Sequence, residues 1–158
     1  MRQAMRELGL IPDMVLLSPS RRTRETLEAL EPWDDAPLIE PVDTLYLATV
    51  PHLLDVLHGV PETVRSVLLI GHNPGMHELA MLLVGSRGTA ARGDASGHVE
   101  TLAGGYPTGA LAEFGIAGPW WQLGTGGGQL VRFLRPRDLA GGDPGGDGSG
   151  DGTEVAED

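Results

Sequence analysis

The chain has 158 residues, of which 41% are hydrophobic, enough for one domain with a sizeable core. No apolar run approaches the roughly 18 residues of a membrane span, and polar residues follow Met1 where a signal peptide would be apolar. Cysteine is absent, which excludes disulfides and thiolate chemistry. We therefore expect a cytoplasmic protein that does not bind membranes.

The net charge of −11 is concentrated at one end of the chain. Residues 138–158 hold seven acidic residues and no basic one, which leaves fifteen acids against eleven arginines in residues 1–137. That mildly acidic body gives no reason to expect nucleic-acid binding. Glycine and aspartate dominate the end of the chain, so we predict a folded domain over residues 1–139 and a disordered acidic tail over residues 140–158.

The first half of the chain alternates short helical and extended segments. Met1, Met5 and Leu8 are spaced as on one helix face, and Gly9 is a natural helix stop. The pattern then predicts, in order, a strand at Met14–Leu17, a helix at Arg21–Leu30, an edge strand within Pro37–Val42, a loop at Asp43–Ala48 and a helix at Pro51–Gly59.

The second half begins with the apolar run Val67–Ile70, which predicts a strand buried on both faces. A turn through Asn73-Pro74-Gly75 leads into a helix. We predict a mobile surface loop over residues 85–105 with one helical turn near His98–Leu102. The last predicted elements are two strands at Ala110–Ile116 and Gln129–Leu134 that form a hairpin on the sheet edge, with Trp120 and Trp121 as core and rim packing.

Two residues with phosphate-binding chemistry follow the two buried strands. His72 lies after Val67–Ile70 and before a helix, and the carboxyl ends of parallel strands are where ligands bind. Arg22 lies in the first turn of the helix after Met14–Leu17, where a cation opposes the helix dipole unless an anion lies nearby. Because arginine binds phosphate in a bidentate manner, we predict that Arg22 and His72 bind one phosphate group.

The neighbours of these two residues have alternative roles. Ser18 either caps the following helix or contacts the ligand, and Asn73 either donates to phosphate or makes an Asx turn ahead of Pro74. We expect His77 to be exposed. The spacing of the histidines fits no metal site, so we expect no metal and no cofactor.

Two motifs in this order and spacing resemble the histidine phosphatase superfamily, in particular its SixA-type phosphohistidine phosphatases. They are Ser18-Pro19-Ser20-Arg21-Arg22 and Gly71-His72-Asn73-Pro74, and the likeness extends to about Leu139. It is supported by Gly9–Asp13, Leu45–Ala48, Tyr106–Ala110 and Pro136–Leu139.

The resemblance implies a three-layer α/β/α sandwich with a mostly parallel sheet, a C-terminal hairpin and a phosphate pocket at the carboxyl ends of the strands. Arg22 and His72 match catalytic residues that bind the phosphoryl oxygens, whose charge must be stabilised during transfer.

The nucleophile of that family is a histidine in an Arg-His-Gly-type motif after the first, central strand, and this sequence has no such motif. Arg2-Gln3 is not a remnant of it, because the ten residues between Arg2 and Asp13 are too few for a strand end, a loop and a helix. We therefore expect a chain that starts within the first helix, through a mis-chosen start codon or a partial gene. In that case Val15–Leu17 and Val67–Ile70 expose unpaired edges.

The resemblance implies a phosphohistidine phosphatase that acts on a phosphorylated protein histidine or a small phospho-compound, and whose printed form is inactive. One alternative is a non-catalytic phosphate-binding remnant. Another is a broad-specificity phosphomonoesterase, although the short spacer between the motifs disfavours it. Asp43 and Glu78 are the nearest candidates for a general acid, and the sequence selects neither.

Overall fold

A computed structural model describes residues 1–90 and 97–140 of the chain. The predicted acidic tail and the middle of the predicted surface loop lie outside the described residues. The expectations about them therefore stay predictions.

The sheet has a short parallel part and a separate hairpin. Strand β1 (Met14–Leu17) lies between β2 (Leu38–Pro41) and β3 (Val67–Ile70), and both pairings are parallel. Strands β4 (Leu111–Ile116) and β5 (Gly128–Leu134) pair with each other in antiparallel fashion. The α/β class, the edge position of β2 and the hairpin are confirmed. The hairpin is a separate two-stranded sheet, however, and is not bonded to the parallel strands as we predicted.

The helices begin and end close to the predicted residues. The Ser20 side chain caps the helix at Arg21 by accepting a hydrogen bond from the Thr23 N–H at 3.2 Å. Gly9 ends the first helix with a φ of 69°, which glycine adopts without strain. The helices are α1 (Arg2–Glu7), α2 (Arg21–Leu30), α3 (Val50–His58), α4 (Gly75–Ala90, with a kink at Gly85), α5 (His98–Ala103) and α6 (Pro136–Ala140), with 3-10 turns at Asp43–Leu45 and Trp120–Gln122.

Helices cover both faces of the parallel strands. Side chains alternate along β1, so neighbouring residues pack against helices on opposite faces. Met14 and Leu16 pack into one core with residues of α3 and α4. Val15 and Leu17 pack into a second core with Met5 of α1 and residues of α2. The result is the three-layer arrangement that the family resemblance implies.

The two inner strands differ in burial. Every residue of β1 is at most 3% exposed, whereas only Ile70 of β3 is buried and the other three residues are half-buried. Our prediction that β3 is buried on both faces is therefore wrong. The prediction of an unpaired edge is wrong for β1, which has neighbours on both sides.

The partial exposure of β3 has a physical reason, which is a cavity beside the strand. A cavity of about 1040 Å³ separates β3 from β4 and is lined by residues of both strands. We call this space the interstrand cavity. In the described part of the chain, β1 is the one strand that β3 pairs with. β3 is therefore partly exposed, because the cavity lies where a second neighbouring strand would cover it.

Trp121 also departs from the sequence prediction. Its side chain is 61% exposed, so it is not part of the core or its rim. Trp120 is half-buried, and its indole N–H donates to the Val64 carbonyl oxygen at 2.8 Å. A buried indole N–H needs such a partner, so Trp120 has the predicted packing role and Trp121 does not.

Candidate functional site

The two predicted site loops leave the same edge of the sheet. Leu17 at the end of β1 is the register partner of Ile70 at the end of β3. The Ser18 N–H continues this pairing by donating to the Ile70 carbonyl oxygen at 3.2 Å. The loop that carries Ser18 therefore lies directly against the loop that carries His72.

A buried hydrogen bond joins these loops. Ser18 Oγ lies 2.8 Å from His72 Nε2, and the two residues are 0% and 4% exposed. The Tyr46 ring packs edge-on against the imidazole, with the ring centroids 5.4 Å apart. Two side chains thus fix the orientation of His72. The helix-cap role considered for Ser18 is wrong, because Ser20 holds that position.

Arg22 is the second residue of α2, so it lies at the same edge of the sheet as Ser18. Its side chain is exposed, and its carbonyl oxygen accepts a hydrogen bond from Thr26 Oγ1 at 3.0 Å. The hydroxyl group of Thr23 donates to the Ser18 carbonyl oxygen and so ties the first turn of α2 to the site loop. Sequence reasoning missed Thr23, although a threonine inside a helix start is a common partner for a nearby carbonyl.

The Asn73 side chain connects the site loop to the rest of the domain. Its amide nitrogen donates to the Tyr106 carbonyl oxygen at 2.8 Å, and its oxygen accepts from the His77 N–H at 3.3 Å. His77 is half-buried, not exposed as predicted, and its Nε2 lies 2.8 Å from the Leu102 carbonyl oxygen. Both Asn73 and His77 therefore have structural partners. A phosphate contact by Asn73 stays a prediction.

The remaining histidines have hydrogen-bonding partners of their own. His58 Nε2 is 2.6 Å from the Leu123 carbonyl oxygen, and His98 Nδ1 accepts from the Phe133 N–H at 3.2 Å. His52 is exposed on α3, with Nδ1 3.5 Å from Thr49 Oγ1. Within residues 1–90 and 97–140, no three histidine, aspartate or glutamate side chains are grouped as a metal site would need.

A small pocket opens beside His72. It has a volume of about 260 Å³ and is lined by residues of three segments: Leu47–Thr49, His72–Gly75 and Glu78. Leu47 has a φ of 48°, a conformation that leucine rarely adopts, and its side chain is exposed. Such backbone strain is concentrated at functional sites. Of the two general-acid candidates, Glu78 lies at the pocket wall and Asp43 begins the nearby 3-10 turn.

Known proteins share this fold and part of this sequence, although no family model matches the chain. The uncharacterized protein Rv1276c of Mycobacterium tuberculosis is 31% identical over 125 residues, which cover 79% of this chain and 74% of that protein. The "putative phosphohistidine phosphatase SixA" of Nakamurella multipartitia has a TM-score of 0.70 at 28% identity, over 85% of this chain and 77% of that one. The protein of that name from Agrobacterium tumefaciens has a TM-score of 0.65 at 26% identity, and the match covers 85% of this chain and 75% of that one.

The class follows from these neighbours: the domain has the phosphatase-like fold of SixA-type proteins in the histidine phosphatase superfamily. More specifically, the chain belongs to the same family as Rv1276c of Mycobacterium tuberculosis, to which it is similar over most of both lengths. In the described part of the chain, no helix is long and apolar enough to cross a membrane.

Proposed function

We propose that this chain is the body of a SixA-type phosphohistidine phosphatase, in which Arg22 and His72 bind the phosphoryl group of a phosphorylated protein histidine or small phospho-compound. The observation that carries the proposal is the buried Ser18–His72 hydrogen bond at the carboxyl edge of parallel strands. This bond holds the imidazole of His72 at the carboxyl edge of the parallel strands, which is where such sheets bind ligands.

Each proposed residue has a distinct role. The guanidinium of Arg22 binds phosphoryl oxygens at the start of α2, where the backbone dipole also favours an anion. The imidazole of His72 stabilises the charge on the oxygens during transfer, and Ser18 and Tyr46 hold it in position. Asn73 contributes through its second amide hydrogen, since its first is bonded to Tyr106.

Covalent hydrolysis requires a further histidine. Its ring nitrogen would form a bond to phosphorus as the bond to the leaving group breaks, and water would then release inorganic phosphate. His58, His77 and His98 have partners away from the pocket, and the ring of His52 lies beside Thr49 at the pocket wall. We therefore infer that these 158 residues bind phosphate without turnover, since the Arg-His-Gly-type motif that carries the family's nucleophile is not among them. We place the full protein in the cytoplasm.

The proposal is tested with a peptide that carries phosphohistidine, mixed with the 158-residue chain. Binding without phosphate release is the expected result. Loss of one charge-assisted hydrogen bond is worth about 1.5–3 kcal/mol, so Arg22→Ala and His72→Ala each weaken binding roughly tenfold to a hundredfold. Arg24→Ala is the matched control for Arg22→Ala, because its side chain is exposed on the same helix. Steady turnover that survives His72→Ala contradicts the assignment.

A non-catalytic phosphate-binding protein is the second candidate. It is favoured by the backbone partners of His58, His77 and His98, which leave none of the three at the pocket. An extended chain, which includes any residues encoded ahead of Met1, distinguishes the two candidates. If it binds phosphate without forming a phosphoenzyme, the non-catalytic function is correct. Turnover of p-nitrophenyl phosphate by the extended chain would instead indicate a broad-specificity phosphomonoesterase.

A further inference from the structure

Two large hydrophobic side chains are exposed beside the candidate site. Tyr46 and Leu47 are 57% and 61% exposed, among the highest values for large hydrophobic residues in the described part of the chain. Their neighbours Leu45 and Ala48 are buried in the core that also contains residues of α3 and α4. The segment is therefore anchored at both ends and presents its two middle side chains to solvent. We call Tyr46 and Leu47 the apolar rim.

The backbone holds the apolar rim in a fixed position. Leu47 has a φ of 48°, a conformation that leucine adopts only where its surroundings impose it. The Ala48 N–H donates to the Leu45 carbonyl oxygen at 3.3 Å, which closes the turn around Leu47. Gly75 packs so closely against the Ala48 carbonyl oxygen that no side chain fits between them. The turn is thus supported both by the 3-10 segment and by the loop that carries His72.

Both residues of the apolar rim are next to His72. The Tyr46 ring packs edge-on against the imidazole, and Leu47 lines the small pocket together with His72 and Asn73. The pocket volume of about 260 Å³ lies just below the roughly 300–1,000 Å³ of pockets that hold drug-sized ligands. The small pocket therefore has room for a phosphoryl group together with one small further group.

The small pocket combines groups of two kinds. His72 and Asn73 carry hydrogen-bonding groups that suit phosphoryl oxygens, whereas the Leu47 side chain has no group that binds an anion. Glu78 also lies at the pocket wall, and its carboxylate disfavours further negative charge on the ligand. This lining favours a substrate in which a single phosphoryl group is attached to an uncharged, apolar carrier.

We propose that the apolar rim determines the specificity of the candidate site by binding the apolar carrier of the phosphoryl group, with Leu47 as the principal contact. An aromatic ring suits this position, because a flat ring packs well against aliphatic and aromatic side chains. Sugar phosphates are disfavoured, because a hydroxyl group buried against Leu47 has no hydrogen-bond partner there. This inference rests on the proposed binding of phosphate by Arg22 and His72, and it adds the residues that recognise the rest of the substrate.

The binding of phenylphosphonate and methylphosphonate to the 158-residue chain tests the proposal, in a buffer in which both ligands are dianions. The two ligands share the group that imitates phosphate and differ only in the carrier. Phenylphosphonate should bind about tenfold more tightly, because its ring is removed from water at the apolar rim. Leu47→Asn should abolish this preference and leave the affinity for inorganic phosphate unchanged, since asparagine tolerates a positive φ.

Two further variants serve as controls. Leu47→Met keeps an apolar side chain and should retain the preference for phenylphosphonate. Leu38→Ala should also retain it, because Leu38 is similarly exposed but lies at the amino end of β2, opposite the edge that carries the candidate site.

The possible failures are distinguishable. Equal affinity of the original chain for the two phosphonates, a preference that survives Leu47→Asn, or a preference that Leu38→Ala also abolishes would overturn the role of the apolar rim while phosphate binding remains. If neither the phosphonates nor inorganic phosphate bind to the original chain, the proposed function fails and this inference fails with it.

Discussion

Strands β1 and β3 have nearly the same local sequence character and very different surroundings. Both are four apolar residues long, both are parallel, and both end at the candidate site. Yet β1 is completely buried and β3 is mostly half-buried, because β1 lies between two strands and β3 has the interstrand cavity on its outer side. An apolar run thus predicts a strand, while burial depends on the neighbours that the rest of the chain provides.

The largest effect should come from a substitution in the better-packed strand. Leu16 and Leu69 are register partners on the same face of the sheet, so the same change can be compared in two environments. Leu16→Ala should lower the free energy of unfolding by about 3 kcal/mol, because it leaves a void in a closed core. Leu69→Ala should cost roughly half as much. Urea unfolding measures both, and equal losses would show that the two environments do not differ.

Gly75 should be the most sensitive glycine near the site. A methyl group there would collide with the Ala48 carbonyl oxygen, which is rigid backbone. Gly75→Ala should therefore destabilise the domain by about 1–3 kcal/mol and displace the loop that lines the small pocket. Gly118→Ala is the control, since its nearest neighbour is the flexible Gln122 side chain at 3.6 Å. Thermal unfolding and phosphate titration should separate the two variants, and equal behaviour would argue against this packing.

The link between the two strand ends should contribute less. Ser18→Ala removes the hydrogen bond to His72 and leaves the imidazole with one fewer buried partner. We expect a loss of about 1–2 kcal/mol in unfolding free energy and a weaker affinity for phosphate. Ser20→Ala, which removes a helix cap close by, should reduce stability without changing phosphate affinity once folded. If both variants bind phosphate like the original chain, Ser18 does not position His72.

The smallest effect is expected at the end of the described chain, in the segment that contains Arg135 and Asp138. Hydrogen bonding from Arg135 is the main cause that lowers the pKa of Asp138, so the charged carboxylate is favoured in the folded state. Its contribution to stability is therefore complete above the usual aspartate pKa and is lost as the pH falls through the lower folded value. Because the pair is largely solvated, Asp138→Asn should change the melting temperature only slightly near pH 7. A large change would mean that α6 stabilises the core.

Much of the site was predictable because its signals are local. A strand, a turn with Ser18 and a helix start with Arg22 follow one another within nine residues of sequence, as do Val67–Ile70 and His72. Parallel pairing then brings the two loops together without further information. The helix bounds were predictable for a similar reason, since Ser20 and Gly9 are common signals for a helix start and stop.

What could not be predicted depends on long-range contacts. The buried environment of His77 requires Leu102, and the role of Asn73 requires Tyr106, residues that are 25 and 33 positions away. The half-buried state of β3 results from a space, and an unfilled space leaves no pattern in the sequence. The order β2-β1-β3, which gives β1 two neighbours, also depends on how distant segments pack.

The central claim is that Arg22 and His72 bind the same anion, and a phosphate titration followed by NMR of the labelled side chains tests it most directly. We predict that the Arg22 guanidinium and His72 imidazole resonances shift together, with one shared dissociation constant, and that Arg22→Ala weakens the response of His72. Resonances that respond with unrelated constants, or a His72 signal that phosphate does not move, would contradict the account.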